Sequence, residues 1–244
     1  MSGHSKWHNI QERKGKQDAK RSNLFTKFAK AITVAAQKGG ADPNMNFSLR
    51  LAIEKSKEVG MPKDNIDRAI KRGTGELDDG VRMEEVIYEA FGPSGVAVLV
   101  KTVSDNKNRT VSDLKHIFSE NGGSLGGAGS VMWMFQQWGV VMLSSEELKK
   151  LGGKDEAELV LIEMGAEDIK EREEGQMEVK TKVEQLQKLL VALKEKGIEA
   201  KESSLQFIAK DPVRVDEALG NKISKLFSEL EDNDDVEDYY TNAE

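Results

Sequence analysis

Apolar positions first fall into a helical rhythm at Leu24, Phe25, Phe28, Ile32, Ala35 and Ala36, and Gly39-Gly40 ends it. Asp42-Pro43 reads as an N-cap followed by proline in the first turn of a second helix. The stripe of that helix is Leu49, Ala52, Ile53 and Ser56, and it stops near Gly60. Pro62 opens a third helix with Ile66, Ala69 and Ile70 inward, closed by Gly73. Three short helices with short joints predict a small bundle over residues 22–80. Its exit, GTGELDDG at 73–80, is rich in glycine and acid and reads as a linker.

Beyond the linker the period changes. VIYEAFG and VAVLVKTV read as strands joined by the turn GPSG at 92–95. DNKNRT leads into a helix with Val111, Leu114, Ile117 and Phe118 on one face. NGGSLGGAGS is a loop, and VMWMF follows as a strand with Val131, Trp133 and Phe135 on one side, where core packing is the expectation for most of the aromatic set Trp133, Phe135 and Trp138. From about residue 138 the order becomes strand, helix, strand, strand, helix, strand, the split unit of ferredoxin-like folds. DPVRVDEALGNKISKLFSEL then predicts a helix with Pro212 near its start, and DDVEDYYTN a last strand.

These two elements complete the earlier, unfinished unit. The expected architecture is α+β and multidomain: an N-terminal three-helix bundle followed by two ferredoxin-like α+β domains, one inserted in the other. The boundaries are a basic arm over 1–21, the bundle over 22–80, an α+β domain over 81–137 plus 205–244, and the insert over 138–204.

Charge sharpens this picture. The net charge of −7 divides into +9 over residues 1–72 and −16 over 73–244, a basic head on an acidic body. That asymmetry points the head, and not the body, at a polyanion. There is no cysteine, so thiolate catalysis, disulfides and Cys-based metal sites are excluded. No apolar run approaches the length of a membrane span, and no apolar segment follows the N-terminal charges as it would in a secretory signal. The expectation is a cytoplasmic protein without a membrane partner.

The candidate contacts begin in the arm, where Lys6, Arg13, Lys14, Lys16, Lys20 and Arg21 can lie along phosphates and release counterions. Trp7 and His8 offer rings for an unpaired base, or Trp7 pins the arm to the bundle. Lys27, Lys30, Lys63, Arg68, Lys71 and Arg72 extend the basic surface from the outward faces of the bundle. Lys107 and Arg109 precede a helix where free N–H groups favour anions, so a phosphate contact is open to them; an ordinary Asn- and Asp-rich helix entry explains the same residues and is the preferred reading. His4 and His8 lack a third ligand, so no metal site is assigned. NGGSLGGAGS lacks the GK[ST] of a P-loop. The acidic stretch from Glu231 to Asp238 reads by default as solvated charge.

Several long blocks bear a family resemblance: GHSKW at 3–7, KR at 20–21 with FTK at 25–27, and MPKDNIDRAIKRG at 61–73. YEAFGPSGVAVLV at 88–100, DNKNRT at 105–110 and GGSLGGAGSV at 122–131 continue it. The chain resembles the YebC/PmpR family, which includes the mitochondrial translational activator of cytochrome c oxidase. The resemblance implies a bundle and two α+β domains, and a DNA-binding transcriptional regulator. For some members it implies a ribosome-linked factor, bound to ribosomal RNA, that assists synthesis of proline-rich stretches.

No cofactor and no catalytic residue is expected, because His116 has no evident partner and no carboxylate pair is singled out by spacing. A small-molecule sensor built on the ferredoxin-like units is the reading of another class, and it leaves the basic head unexplained.

Overall fold

The computed structural model describes residues 17–77, 82–172, 175–198, 200 and 202–244, with side chains from Asn23 onward. It is an α+β structure with an N-terminal helical bundle and two four-stranded antiparallel-rich sheets bearing helices. Two compact units divide it: residues 1–135 with 209–244, and residues 136–208.

The bundle consists of α1 (Gln17–Gly39), α2 (Phe47–Glu58) and α3 (Lys63–Gly73). Its core is Ile32, Ala35, Ala36, Leu49, Ile53, Met61, Ile66 and Ala69, with Phe25, Phe28 and Ile70 packed against it. The helical period of these positions is why the bundle is legible locally. Two ends differ from expectation. Within the described residues α1 reaches back to Gln17, ahead of the apolar pattern, and its first turns there carry good helix formers and no proline. The second helix is capped by Asn46, not Asp42. Asn46 is buried and does three jobs: its Oδ1 accepts from Leu49 N at 3.1 Å, while its amide donates to Ala35 O at 2.8 Å and Gly40 O at 2.9 Å. Asp42 instead turns the connection, accepting from Asn44 N at 2.9 Å.

In the same unit, β1 (Glu84–Phe91) and β2 (Ala97–Ser104) form an antiparallel hairpin in register Glu84↔Ser104 to Phe91↔Ala97. β3 (Ser124–Leu125) and β8 (Val236–Thr241) flank it, in the order β3-β1-β2-β8. α4 (Lys107–Glu120) and α8 (Glu217–Asp232) cover one face, burying Leu114, Phe118, Ile223, Leu226, Phe227 and Leu230 against Val98, Val100 and Tyr239. α8 starts after its cap Asp216, so Pro212 lies outside it. The segment before the cap runs beside the chain end, with Val213 N donating to Asn242 O at 2.6 Å and Glu244 N to Val213 O at 2.8 Å. Those backbone pairs hold the segment out of the helix.

The other unit contains β4 (Phe135–Leu143), which starts in the first unit, α5 (Ser145–Lys150), α6 (Lys154–Glu163), β5 (Asp168–Glu171), β6 (Met177–Thr181), α7 (Val183–Glu195) and β7 (Glu202–Ala209). The sheet order β5-β6-β4-β7 is the split ferredoxin-like arrangement. Leu148, Ala157, Leu161, Leu186, Leu189 and Leu193 are buried with Val141, Leu143 and Val179. α5 is an extra turn set by a capping box between Ser144 and Glu147.

Candidate nucleic-acid interface

α3 is held with one face on α1. Thr33 Oγ1 donates to Ala69 O at 3.1 Å, and a Cβ placed on Gly73 would meet Thr33 O at 2.3 Å. With Ile66, Ala69 and Gly73 inward, helix geometry puts Arg68, Lys71 and Arg72 in an arc of about 100° on the opposite side. All three are exposed, as is Lys63 at the first turn. Among the described residues no hydrogen bond or ion pair engages the side chains of Lys63, Arg68 or Lys71. Asp64 and Asp67 share the exposed surface, so it is basic but not uniformly so. Pro62 caps the helix without a side-chain bond, and Lys71 and Arg72 lie in the last turn, where cations suit the helix dipole.

Four other candidates are placed differently. Lys27 and Lys30 do not face outward as the sequence pattern predicts. Lys27 Nζ donates to Glu231 O, and burial pushes its pKa below the ordinary value against the pull of Glu231 and Asp234. Lys30 Nζ donates to Asp235 Oδ1 at 2.7 Å and to Asp234 O at 2.9 Å, and its side chain is only 16% exposed. Arg109 donates to both Asp105 and Asp235. Lys107 pairs with Glu84. Asn106 caps α4 by accepting from Arg109 N, so the helix-entry account fits this segment.

The acceptor at the centre of this network is Asp235, whose side chain is 4% exposed. Besides Lys30 and Arg109, Ser104 Oγ donates to it at 3.0 Å and Thr110 Oγ1 at 2.8 Å. Burial raises its pKa, but these donors outweigh burial and bring it down to about 2. Part of the Glu231–Asp238 stretch is therefore interior, not solvated. Glu231 accepts from Tyr239 OH at 2.8 Å, and Glu237 pairs with Lys101 at 2.9 Å. Residues 205 apart meet here, and no local signal in the sequence announces it.

Lys6, Trp7, His8, Arg13, Lys14 and Lys16 lie outside the described residues. Lys20 and Arg21 fall within α1, the helix that continues the basic arm. The loop after β3 corrects another expectation. Residues Met132–Met134 form a 3-10 turn instead of strand, leaving Val131 and Phe135 buried and Trp133 exposed. The cause is Glu89 on β1, a residue the sequence did not single out. Its buried carboxylate accepts from Gly129 N at 2.5 Å and from Val131 N and Met132 N at 2.7 Å. Burial pushes this carboxyl up, yet the backbone donors hold it below its ordinary value. His116 is exposed. Among the described residues no group of three or more His, Asp or Glu could hold a metal, and no helix is long and apolar enough to cross a membrane.

Two family models match the chain: the TACO1/YebC protein N-terminal domain over residues 5–76, and the TACO1/YebC second and third domain over 83–243. The chain belongs to the TACO1/YebC family. A relative in this family from Maridesulfovibrio salexigens, named "Probable transcriptional regulatory protein", is 49% identical, with 100% of this chain and 96% of the relative covered. One of the same name from Persephonella marina is 46% identical at the same coverage, 100% and 96%. The crystal structure of a conserved hypothetical protein from Aquifex aeolicus superposes with a TM-score of 0.83 at 38% identity, covering 96% of this chain and 95% of that one. The bundle described above thus corresponds to the TACO1/YebC N-terminal domain, and both sheets to the second and third domains.

Proposed function

We propose that this protein is a nucleic-acid-binding regulator of gene expression, a DNA-binding transcriptional regulator of the cytoplasm that engages phosphates through α3 and the basic arm leading into α1. The observation that carries the proposal is the arc on α3: Arg68 and Lys71 are exposed and have no partner among the described residues, with Lys63 nearby. Lys30, Arg109 and Lys107 are paired with carboxylates and Lys27 with the Glu231 carbonyl, whereas Lys63, Arg68 and Lys71 remain available to an external anion. The +9 charge of residues 1–72 supports this, as do the relatives named as transcriptional regulatory proteins. Binding, and not catalysis, is the proposed work; no cofactor or catalytic residue enters it.

A second proposal, binding to ribosomal RNA on the ribosome, is favoured by the same helix. Apart from the partly buried Asn65, its outward positions carry Lys, Arg and Asp, with no set of Asn and Gln residues to read adenines in a major groove. Such a surface suits recognition by backbone and shape. Crosslinking in cells followed by sequencing separates the two. Recovery of discrete promoter DNA supports the first, and enrichment of ribosomal RNA supports the second. In vitro, 6–10 phosphate contacts cost roughly 10³–10⁵ in affinity between 50 and 200 mM salt. A flat salt response overturns both.

A further inference from the structure

Trp133 is 66% exposed, yet its neighbours on either side, Val131 and Phe135, are buried. A mobile tryptophan would fold its ring against nearby apolar surface, since the side chain carries about 150–250 Å² to bury. This one is prevented from doing so by its backbone. Ahead of it, the Glu89 carboxylate holds the N–H groups of Gly129, Val131 and Met132. Behind it, Lys210 Nζ donates to Trp133 O at 2.8 Å and Lys210 N to Met134 O at 2.9 Å. The indole Nε1 donates to Ser130 O at 3.2 Å, so the polar edge of the ring is satisfied internally and its faces are left.

The surroundings narrow the choice of occupant. Lys210 is exposed, and its ammonium has donors to spare beyond the one given to Trp133 O. Ser130 N donates to Gly127 O, which ties the ring to the exposed run Gly127, Ala128 and Gly129. Gly127 has no positive φ, and nothing lies within 4 Å of a Cβ built there. Neither conformation nor internal packing explains that glycine, whereas close approach of a ligand would. The N–H groups of Gly127 and Ala128 have no acceptor among the described residues. A protein interface centres on a broad apolar core. Here a single ring stands beside a cation and a flat backbone with free donors, the combination that binds a stacked base and its phosphate.

We propose that Trp133 is a stacking platform for one unpaired nucleobase, with the Lys210 ammonium meeting the adjoining phosphate and the Gly127–Gly129 backbone approached by the sugar or base edge. The site rests on the nucleic-acid reading above and adds to it a requirement for a single strand.

The test uses the full-length protein with a mixed-sequence 12-nucleotide RNA, the matching single-stranded DNA, and the duplex. Trp133→Ala is expected to weaken single-strand binding roughly 5- to 150-fold, the range one base–aromatic stack contributes, with an unchanged salt slope and little effect on the duplex. Trp133→Phe should retain most of the affinity. In protein carrying 5-fluorotryptophan, the ¹⁹F resonance absent from Trp133→Phe should shift on adding the single strand. Preference for the RNA or DNA strand tells which source supplies the base. Steep, salt-dependent binding with neither a Trp133→Ala effect nor a shift of that resonance overturns the platform and leaves the α3 proposal standing. Absence of any nucleic-acid binding by the unsubstituted protein overturns both. Ultraviolet crosslinking in cells that attaches Trp133 only to protein also overturns the platform.

Discussion

Lys30 on α1 donates to the buried carboxylate of Asp235, just ahead of β8, at 2.7 Å. The contact fixes the bundle against the first sheet, and it takes a cation that the outward charge pattern had assigned to nucleic acid. With Lys27 on Glu231 O, it divides the basic head into cations that hold the fold and cations that remain exposed.

Removing the charge of Asp235 should therefore cost stability. Asp235→Asn leaves Lys30 and Arg109 facing a neutral group, and breaking a buried pair from one side typically costs about 3–5 kcal/mol. Urea unfolding of the variant should show a loss near the lower end of that range, since Arg109 retains Asp105.

Acid should act through the same residue. The folded-state pKa is depressed from 3.8 to about 2, so the stabilisation is fully present above the unfolded value and disappears as pH falls through the folded one. The linked free energy is about 2 kcal/mol, lost between about pH 4 and pH 2. Asp235→Asn should flatten the unfolding-versus-pH curve in that window.

The two classes of cation should separate in mutants. Arg68→Gln with Lys71→Gln should lower the salt slope by about 0.9 for each duplex phosphate left without its cation. It should change stability by no more than about 0.5 kcal/mol, as surface substitutions usually do. Lys30→Met should do the reverse, lowering stability with the slope intact. Equal slopes in both variants would remove α3 from the interface.

Gly73→Ala tests the seating of α3. Alanine in a helix is favoured over glycine by about 1 kcal/mol. Here, however, its Cβ would approach Thr33 O to 2.3 Å and the Ala36 Cβ to 2.8 Å. Overpacking of this kind costs about 1–3 kcal/mol, so net destabilisation is expected in chemical unfolding.

Glu89→Gln should loosen the loop that carries Trp133. A hydrogen bond to a charged acceptor contributes about 1.5–3 kcal/mol, so amide exchange at Gly129, Val131 and Met132 should speed by roughly 10- to 150-fold. Because the pKa of Glu89 is lowered from 4.5, its contribution is present above that value and fades as pH falls through the folded one. Exchange at the three amides should therefore show an acid-side rise that the variant lacks.

The contrast between Ile32 and Lys30 shows what was legible. Ile32 repeats with Phe25, Phe28, Ala35 and Ala36 at helical spacing, so its burial follows from sequence neighbours alone. The α+β class, the bundle and the main strands were readable for that reason. Lys30 sits on the same helix, and its polarity predicts solvent. Its partner lies 205 residues away, beyond any local period. The cap of α2 was misplaced for a similar cause. Asp42-Pro43 carries a local signal, but the amide of Asn46 bonds Ala35 O on the preceding helix, a contact only packing supplies.

Trp133 makes the same division at one residue. Alternation of Val131, Trp133 and Phe135 predicts a strand with the indole inward, because period-two patterns report which side chains share a face of extended backbone. Glu89, arriving from β1, draws three N–H groups of that segment onto one carboxylate, and the chain turns. Periodicity and charge are local, so most helices, most strands and the basic head could be read from the order of residues alone. Packing between distant segments settled which cations are used up within the fold and which ring faces solvent. Those outcomes depend on carboxylates such as Asp235 and Glu89, brought from distant parts of the chain into buried surroundings where each must find its donors.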